Sequence, residues 1–117
     1  MNIEQFRDYC LSKPFVTERF PFDKTILVFK VADKMFALCD VNEFKFINLK
    51  CEPEEAVDLR ERYHGIKPGY HMSKKHWNSV YVGEDVDDKL ILALTDNSYD
   101  LVFNAISKKK RDELQNR

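Results

Sequence analysis

Three short runs of β-branched and aromatic residues, set close together, constrain the fold of this chain more than any other feature. They are TILVFKV at positions 25–31, KMFALCDV at 34–41 and KFINLKC at 45–51. Such residues are enriched in strands, and the short breaks at Ala32-Asp33 and Asn42-Glu43 leave room only for tight turns. The pattern predicts an antiparallel meander of three strands.

The segment before the meander predicts one helix and one loop. Asn2 can cap a first helix, which ends before Pro14. The next segment, PFVTERFPFD at 14–23, contains three phenylalanines. We expect it to be a loop held across the core.

The second helix has the strongest start and stop signals. Pro53 occupies the first helical position, where a missing N–H is tolerated. Gly65 is placed for a left-handed cap at the other end. The predicted buried stripe consists of Ala56, Leu59 and Tyr63.

A hairpin and a third helix follow. KPGYHM at 67–72 and HWNSVYV at 76–82 predict two strands joined by a turn at 73–75. Asp85 is expected to cap the helix. Capping and turn-forming residues cluster between Thr95 and Ser98, and they predict a break in that helix.

The polar sequence SKKKRDELQNR at 107–117 predicts a partly frayed tail. The elements together have the order α-β(3)-α-β(2)-α. We therefore expect one α+β domain over residues 1–117, built as a two-layer α/β sandwich with a five-stranded antiparallel sheet.

Composition limits the classes of function. The net charge is −1, so no overall field attracts nucleic acid or anionic membranes. No apolar run approaches the length of a membrane span, and the N-terminus lacks the apolar region of a signal peptide. Cys10, Cys39 and Cys51 include no C-x-x-C pair, which favours reduced, buried thiols. We predict a cytoplasmic monomer without a cofactor.

The stretch GYHMSKKHWNSV at 69–80 contains two histidines, the single tryptophan and a lysine pair. A zinc site needs about four ligands, and no cysteine lies near His71 and His76 in the sequence, so we predict no metal. No motif of a catalytic nucleophile or a metalloprotease is present. The acidic clusters fall mostly at helix starts, where they complement the helix dipole. We predict no catalytic residue and no enzymatic activity.

Positive charge is locally concentrated in the hairpin region. Between positions 61 and 80 the chain has four lysines and arginines against one acid. Ammonium groups can contact phosphate, and an aromatic ring can stack on a base. The candidate nucleic-acid contacts are Lys67, Lys74, Lys75, His76 and Trp77. The simpler interpretation is a solvated turn whose lysines protect a sheet edge.

Several segments together resemble the MmcQ/YjbR family of small bacterial proteins. They are PFVTERFPFD, KMFAL, NLKCEPEEAVDLRERY, GYHMSKKHWNSV and SYDLVFNAI, in this order, and they cover the chain from Phe6 to about Lys108. The resemblance implies the order α-β(3)-α-β(2)-α and a fold grouped with frataxin/CyaY-like or secretion-chaperone-like two-layer structures. It also implies a double-wing DNA-binding label.

The resemblance carries a further set of motif residues onto this chain. They are Lys50, Tyr70, His71, Ser98 and Tyr99. The chain departs from the family pattern at Ala32-Asp33, where we expect glycine, and at Ser107, where proline is usual.

Three functions remain open at this point. The first is weak DNA binding through the hairpin lysines, with a contribution from 108–111. The second is a protein-interaction or chaperone-like module around Phe15, Phe20 and Phe22. The third is a small-molecule or catalytic site, which requires His71, Lys50, Ser98 and Tyr99 to converge on one pocket.

Overall fold

The computed structural model describes residues 1–116, with four helices and one six-stranded sheet. The helices are α1 (Ile3–Leu11), α2 (Pro53–Arg62), α3 (Asp88–Ala105) and α4 (Lys108–Gln115). The strands are β1 (Val16–Arg19), β2 (Ile26–Val31), β3 (Lys34–Asp40), β4 (Phe46–Lys50), β5 (Ile66–Pro68) and β6 (Trp77–Tyr81). They pair antiparallel in the order β1-β2-β3-β4-β6-β5.

The α+β class, the antiparallel sheet and the three-strand meander are confirmed, but the strand count is wrong. The segment expected to be a loop across the core contains β1, whose Val16 pairs with Val31 and whose Arg19 pairs with Val28. Glu18 of this strand forms an ion pair with Arg7 of α1, with 2.6 Å between Nη2 and Oε2. The sequence VTER is too short and polar to show the hydrophobic alternation of a strand.

Helices α1, α2 and α3 cover one face of the sheet, and the main core lies between these helices and the sheet. Phe6 of α1 meets Phe29 of β2 edge to face, with ring centroids 5.9 Å apart. Tyr99 of α3 meets Phe36 of β3 in the same way at 5.4 Å. Burial of these large aromatic rings is the main source of stability in a core of this type.

Gly65 does not form the left-handed cap that the sequence predicts. Helix α2 ends earlier, at Arg62, and only Ala56 and Leu59 of the expected stripe are fully buried. A Cβ atom on Gly65 would lie 2.7 Å from the Cβ of Glu84. Glycine is required there because the side chains of Glu84 and Asp85 occupy the space that a Cβ atom would need.

Asp85 has a different role from the predicted helix cap. Its carboxylate accepts hydrogen bonds from the backbone N–H groups of His64 and Gly65, each at 2.7 Å. These two bonds hold the pKa of Asp85 below its ordinary value. The cap of α3 is Asp87, which accepts from the Leu90 N–H at 2.8 Å.

Helix α3 continues through the predicted break at Thr95–Ser98. The hydroxyl of Thr95 donates back to the carbonyl of Ile91 at 2.7 Å, so it is satisfied within the helix. The predicted frayed tail forms α4, which Ser107 caps and whose Leu114 is buried. Arg117 of that predicted tail lies outside the described residues.

Within residues 1–116, no helix combines the length and the apolar character needed to cross a bilayer.

Candidate functional site: the open face of the sheet

The sheet face opposite the helices, here called the open face, has its own small apolar cluster. Val28, Leu38 and Trp77 are buried in it. Ile26, Met35 and Met72 pack against them. Met72 belongs to the connection between β5 and β6, so this connection folds back over the open face and covers part of it.

Two polar side chains fasten the connection to the sheet. The hydroxyl of Ser79 accepts from the Tyr70 N–H at 2.9 Å and donates to the Asn48 side-chain carbonyl. Asn48 in turn donates from Nδ2 to the Tyr70 carbonyl at 3.2 Å. Since Asn48 and Ser79 are both buried, these bonds satisfy groups that would otherwise lack partners.

Gly69 lets the connection turn tightly against β6. Its N–H donates to the Trp77 carbonyl at 2.9 Å. A Cβ atom at position 69 would lie 2.8 Å from the Cβ of Trp77. The glycine that starts the GYHM motif is therefore explained by close packing.

The side chains of Tyr70 and His71 lie on the outside of the connection. The Tyr70 ring meets Phe46 of β4 edge to face, with centroids 5.8 Å apart. The His71 ring lies 4.1 Å from the Tyr70 ring, and His71 has a positive φ of 57°. Bulky residues adopt such a conformation only when their surroundings hold them there.

A cavity of about 480 Å³ opens between this connection, the β3–β4 turn and the loop before β2. Its apolar walls are Phe22, Ile26, Leu38, Phe46, Tyr70 and Met72. Its polar groups are Asp40, Glu43, Lys45, Asn48 and His71. A concave apolar site of this size is typical of small-molecule binding.

Strand register places four cations on the open face, outside the residues that line the cavity. Arg19 pairs with Val28, and Lys30 with Met35. Lys50 pairs with Trp77, and Lys67 with Ser79. Because paired residues point to the same side of a sheet, all four cations belong to the open face. Asp40 is the one acidic residue at an open-face position of the described strands.

The helical layer has the opposite charge balance. Helices α1, α2 and α3 contain nine acidic residues, two in α1, four in α2 and three in α3. They contain four basic residues. The molecule thus has a basic sheet face and an acidic helical face, although its net charge is −1.

The hairpin residues predicted to contact nucleic acid differ in solvent exposure and in whether they already have hydrogen-bond partners within the protein. Lys67 and Lys75 are exposed. The Lys74 ammonium donates to the Gly69 carbonyl at 2.8 Å, so it also supports the connection. Trp77 is only 8% exposed and packs in the open-face cluster. The predicted stacking role of Trp77 is corrected, because its ring is covered.

The structure does not bring His71 together with Lys50, Ser98 and Tyr99. The Ser98 hydroxyl accepts from the Lys50 N–H at 2.8 Å and donates to the Phe36 carbonyl at 2.5 Å. It is fully buried on the helical side. The convergence that the third candidate function requires is therefore not met by these four residues.

Tyr99 ties α3 to the segment after α1. Its hydroxyl donates to the Pro14 carbonyl at 2.6 Å. Lys13 lies over the Tyr99 ring at 5.1 Å and forms an ion pair with Asp96 at 2.5 Å. These contacts give the motif residue Tyr99 a role in packing.

The cysteines have the properties of structural residues. Cys10, Cys39 and Cys51 are buried and free. Burial raises the pKa of Cys39 to about 12 and that of Cys51 to about 11, which keeps both thiols protonated and unreactive near neutral pH. Among residues 1–116, no group of three or more His, Cys, Asp or Glu side chains is arranged to hold a metal ion.

The exposed phenylalanines do not form one surface. Phe15 stacks on Phe103 of α3, with centroids 6.3 Å apart. Phe22 is 65% exposed and forms a wall of the cavity, whereas Phe20 is outside its lining. The family resemblance singled out Tyr70 and His71 as motif residues, whereas no sequence signal singled out Ile26, Leu38 and Phe46, because they look like ordinary strand residues.

Comparison with known proteins places the chain in a family. The YjbR family model matches residues 11–101, and the chain belongs to this family. The uncharacterized protein YbdF of Escherichia coli O157:H7 is 37% identical over 113 residues, which are 96% of this chain and 93% of YbdF. The uncharacterized protein YjbR of Escherichia coli K12 is 32% identical over 112 residues, or 95% of each chain.

Solved structures agree with this assignment. The crystal structure of a Deinococcus radiodurans protein with a DUF419 domain is 36% identical, with a TM-score of 0.91, over 97% of this chain and 88% of that one. A Pseudomonas syringae protein is 33% identical with a TM-score of 0.73, over 87% of this chain and 99% of that one. The two-layer fold is therefore that of the family.

Proposed function

We propose that this protein binds DNA weakly, through the basic part of its open face. The binding has no strong sequence preference. The observation that carries the proposal is the separation of charge between the two layers. Lys50 and Lys67 lie on strands beside the β5–β6 connection. The connection itself contains Lys74 and Lys75. Cations grouped in this way can contact successive phosphates.

The contacts are electrostatic. Trp77 is covered, so no tryptophan is available to stack on bases. His76 lies partly exposed beside Lys75. Helix α4 begins with four consecutive cations, Lys108 to Arg111, which we propose as a further point of phosphate contact. Phosphate contacts of this kind give affinity that falls steeply with salt.

The test is fluorescence anisotropy of a labelled duplex and a labelled single strand at low and physiological salt. The test variant is Lys67→Glu with Lys75→Glu, because both side chains are exposed and neither has a hydrogen bond that supports the fold. Lys74 is left intact because its ammonium bonds Gly69. The loss of two phosphate contacts should reduce the slope of log affinity against log salt by about 1.8.

The matched control is Lys34→Glu with Lys89→Glu, which makes the same change in net charge at two exposed lysines on the helical side of the sheet. We expect this variant to lose much less affinity than Lys67→Glu with Lys75→Glu. Equal losses in the two variants would mean that net charge, and not the open face, governs binding. Absence of binding to either probe at low salt would refute the proposed function.

A further inference from the structure

We propose that the cavity on the open face binds a small organic cation with an apolar, ring-containing body, of the quaternary ammonium or phosphonium class. This proposal is independent of nucleic-acid binding, because it concerns a different part of the face and a ligand of opposite charge.

The walls of the cavity favour an apolar body. Phe22 and Tyr70 are 65% and 56% exposed, and both turn part of this exposed surface toward the cavity. A ligand seated between them would remove aromatic surface from water, which is favourable. The cavity volume of about 480 Å³ is within the range that suits a small molecule.

The polar groups favour a cation that needs no hydrogen bonds. Both ends of the Asn48 amide are already engaged, by the Tyr70 carbonyl and the Ser79 hydroxyl. The Asn48 amide, the buried polar group of the cavity, is therefore poorly placed to form hydrogen bonds with a ligand. Quaternary ammonium and phosphonium ions have no such requirement, and the faces of aromatic rings attract them.

The charges at the edge of the cavity are complementary to this ligand. The Lys45 Nζ lies 3.7 Å from the Glu43 Oε2, so these two opposite charges neutralise each other. Asp40 remains, and backbone N–H groups of Asn42 and Glu43 fix its Oδ1 at 2.8 and 3.1 Å. The result is an excess of one carboxylate on an otherwise basic sheet face, which favours a cation and disfavours an anion.

The backbone around the cavity is held in an uncommon conformation at two bulky residues. His71 lines the cavity with φ of 57°, and Phe44, between Glu43 and Lys45 of the lining, has φ of 43°. Non-glycine residues with such angles concentrate at ligand-binding sites, where the surrounding structure maintains them. These residues frame two sides of the cavity.

The experiment uses tetraphenylphosphonium as the probe and tetraphenylborate as an anion of nearly the same shape. Each is titrated into the ¹⁵N-labelled full chain in sodium buffer, and backbone amide shifts are followed by NMR. We expect tetraphenylphosphonium to shift amides of Phe46 and of Tyr70 to Met72, and to bind there at least about fivefold more tightly than tetraphenylborate.

Two matched variants localise the binding. Phe22→Ala removes a cavity wall, and Phe20→Ala removes an exposed ring from the same loop outside the lining. Both changes are at the surface, so both variants should fold. We expect Phe22→Ala to weaken tetraphenylphosphonium binding about fivefold and Phe20→Ala to change it less than about twofold.

Three results would each overturn the proposal. The first is equal binding of the cation and the anion at the cavity amides. The second is equal weakening by Phe22→Ala and Phe20→Ala. The third is an absence of shifts at the cavity amides, with or without shifts elsewhere in the chain.

Discussion

At the scale of single residues, Ser98 of α3 supplies hydrogen bonds to two backbone groups of the sheet. The pairing of β3 with β4 ends at Ala37 and Leu49, and a register shift leaves Phe36 unpaired with β2. The Phe36 carbonyl and the Lys50 N–H would then face the core without partners. The Ser98 hydroxyl bonds both of them, so a residue that resembled a site residue supports the core.

We expect Ser98→Ala to lower the free energy of unfolding by about 2 kcal/mol, because it leaves two buried backbone groups without partners. Urea denaturation followed by circular dichroism measures this change. The matched control is Thr95→Val on the same helix, where the hydroxyl, also fully buried, only bonds Ile91. A loss of similar size in Thr95→Val would contradict the bridging role of Ser98.

At the scale of elements, the β2–β3 turn consists of Ala32 and Asp33, which are poorly suited to the backbone conformation of this turn. Ala32 and Asp33 have φ of 51° and 64°, the left-handed pair that a two-residue hairpin turn requires. Asparagine and glycine suit these positions, whereas alanine is strained there. The two residues that stand where glycine was expected therefore form this turn with a strained backbone.

Replacement of Ala32 by Asn together with Asp33 by Gly should raise the free energy of unfolding by about 1 kcal/mol, because it relieves this strain. Chemical denaturation of both forms measures the gain. Gly83→Ala tests the reverse case: Gly83 has φ of 85° and open space around its Cα, so this substitution should destabilise through the backbone alone. No gain in the turn variant would contradict the assignment of strain to Ala32-Asp33.

At the scale of the whole molecule, the two layers differ in charge. The acidic helices complete the core on one side of the sheet. The open face combines cations along β4, β5 and the β5–β6 connection with an apolar cavity near the β3–β4 turn. Because Lys67 and Lys75 do not line the cavity, the proposed nucleic-acid surface and the proposed cation site can be occupied together.

Simultaneous occupancy is a testable property. Saturation with tetraphenylphosphonium should change the affinity for a labelled duplex by less than about twofold at constant ionic strength, because two sites without shared contacts have little coupling energy. Anisotropy titrations with and without the probe measure this ratio. Competition between the two ligands would show that the cavity and the basic surface form one site.

The sequence predicted the elements whose signals are local. The meander of β2, β3 and β4 followed from dense β-branched runs, and the start of α2 followed from Pro53 at its first position. Elements that depend on contacts with distant parts of the chain were predicted wrongly. VTER becomes a strand because β2 offers it an edge, and Thr95–Ser98 stays helical because Ser98 finds its partners in the sheet.

For the candidate site, the sequence identified the GYHM motif, the hairpin lysines and the family to which the chain belongs. These depend on residue identity and order alone. Only the tertiary structure decided which side chains share a surface. It buried Trp77, separated His71 from Ser98 and Tyr99, and grouped Phe22, Ile26 and Phe46, which are distant in sequence, around one cavity. The physical reason is that side chains from separate strands meet only when the register of the sheet aligns them.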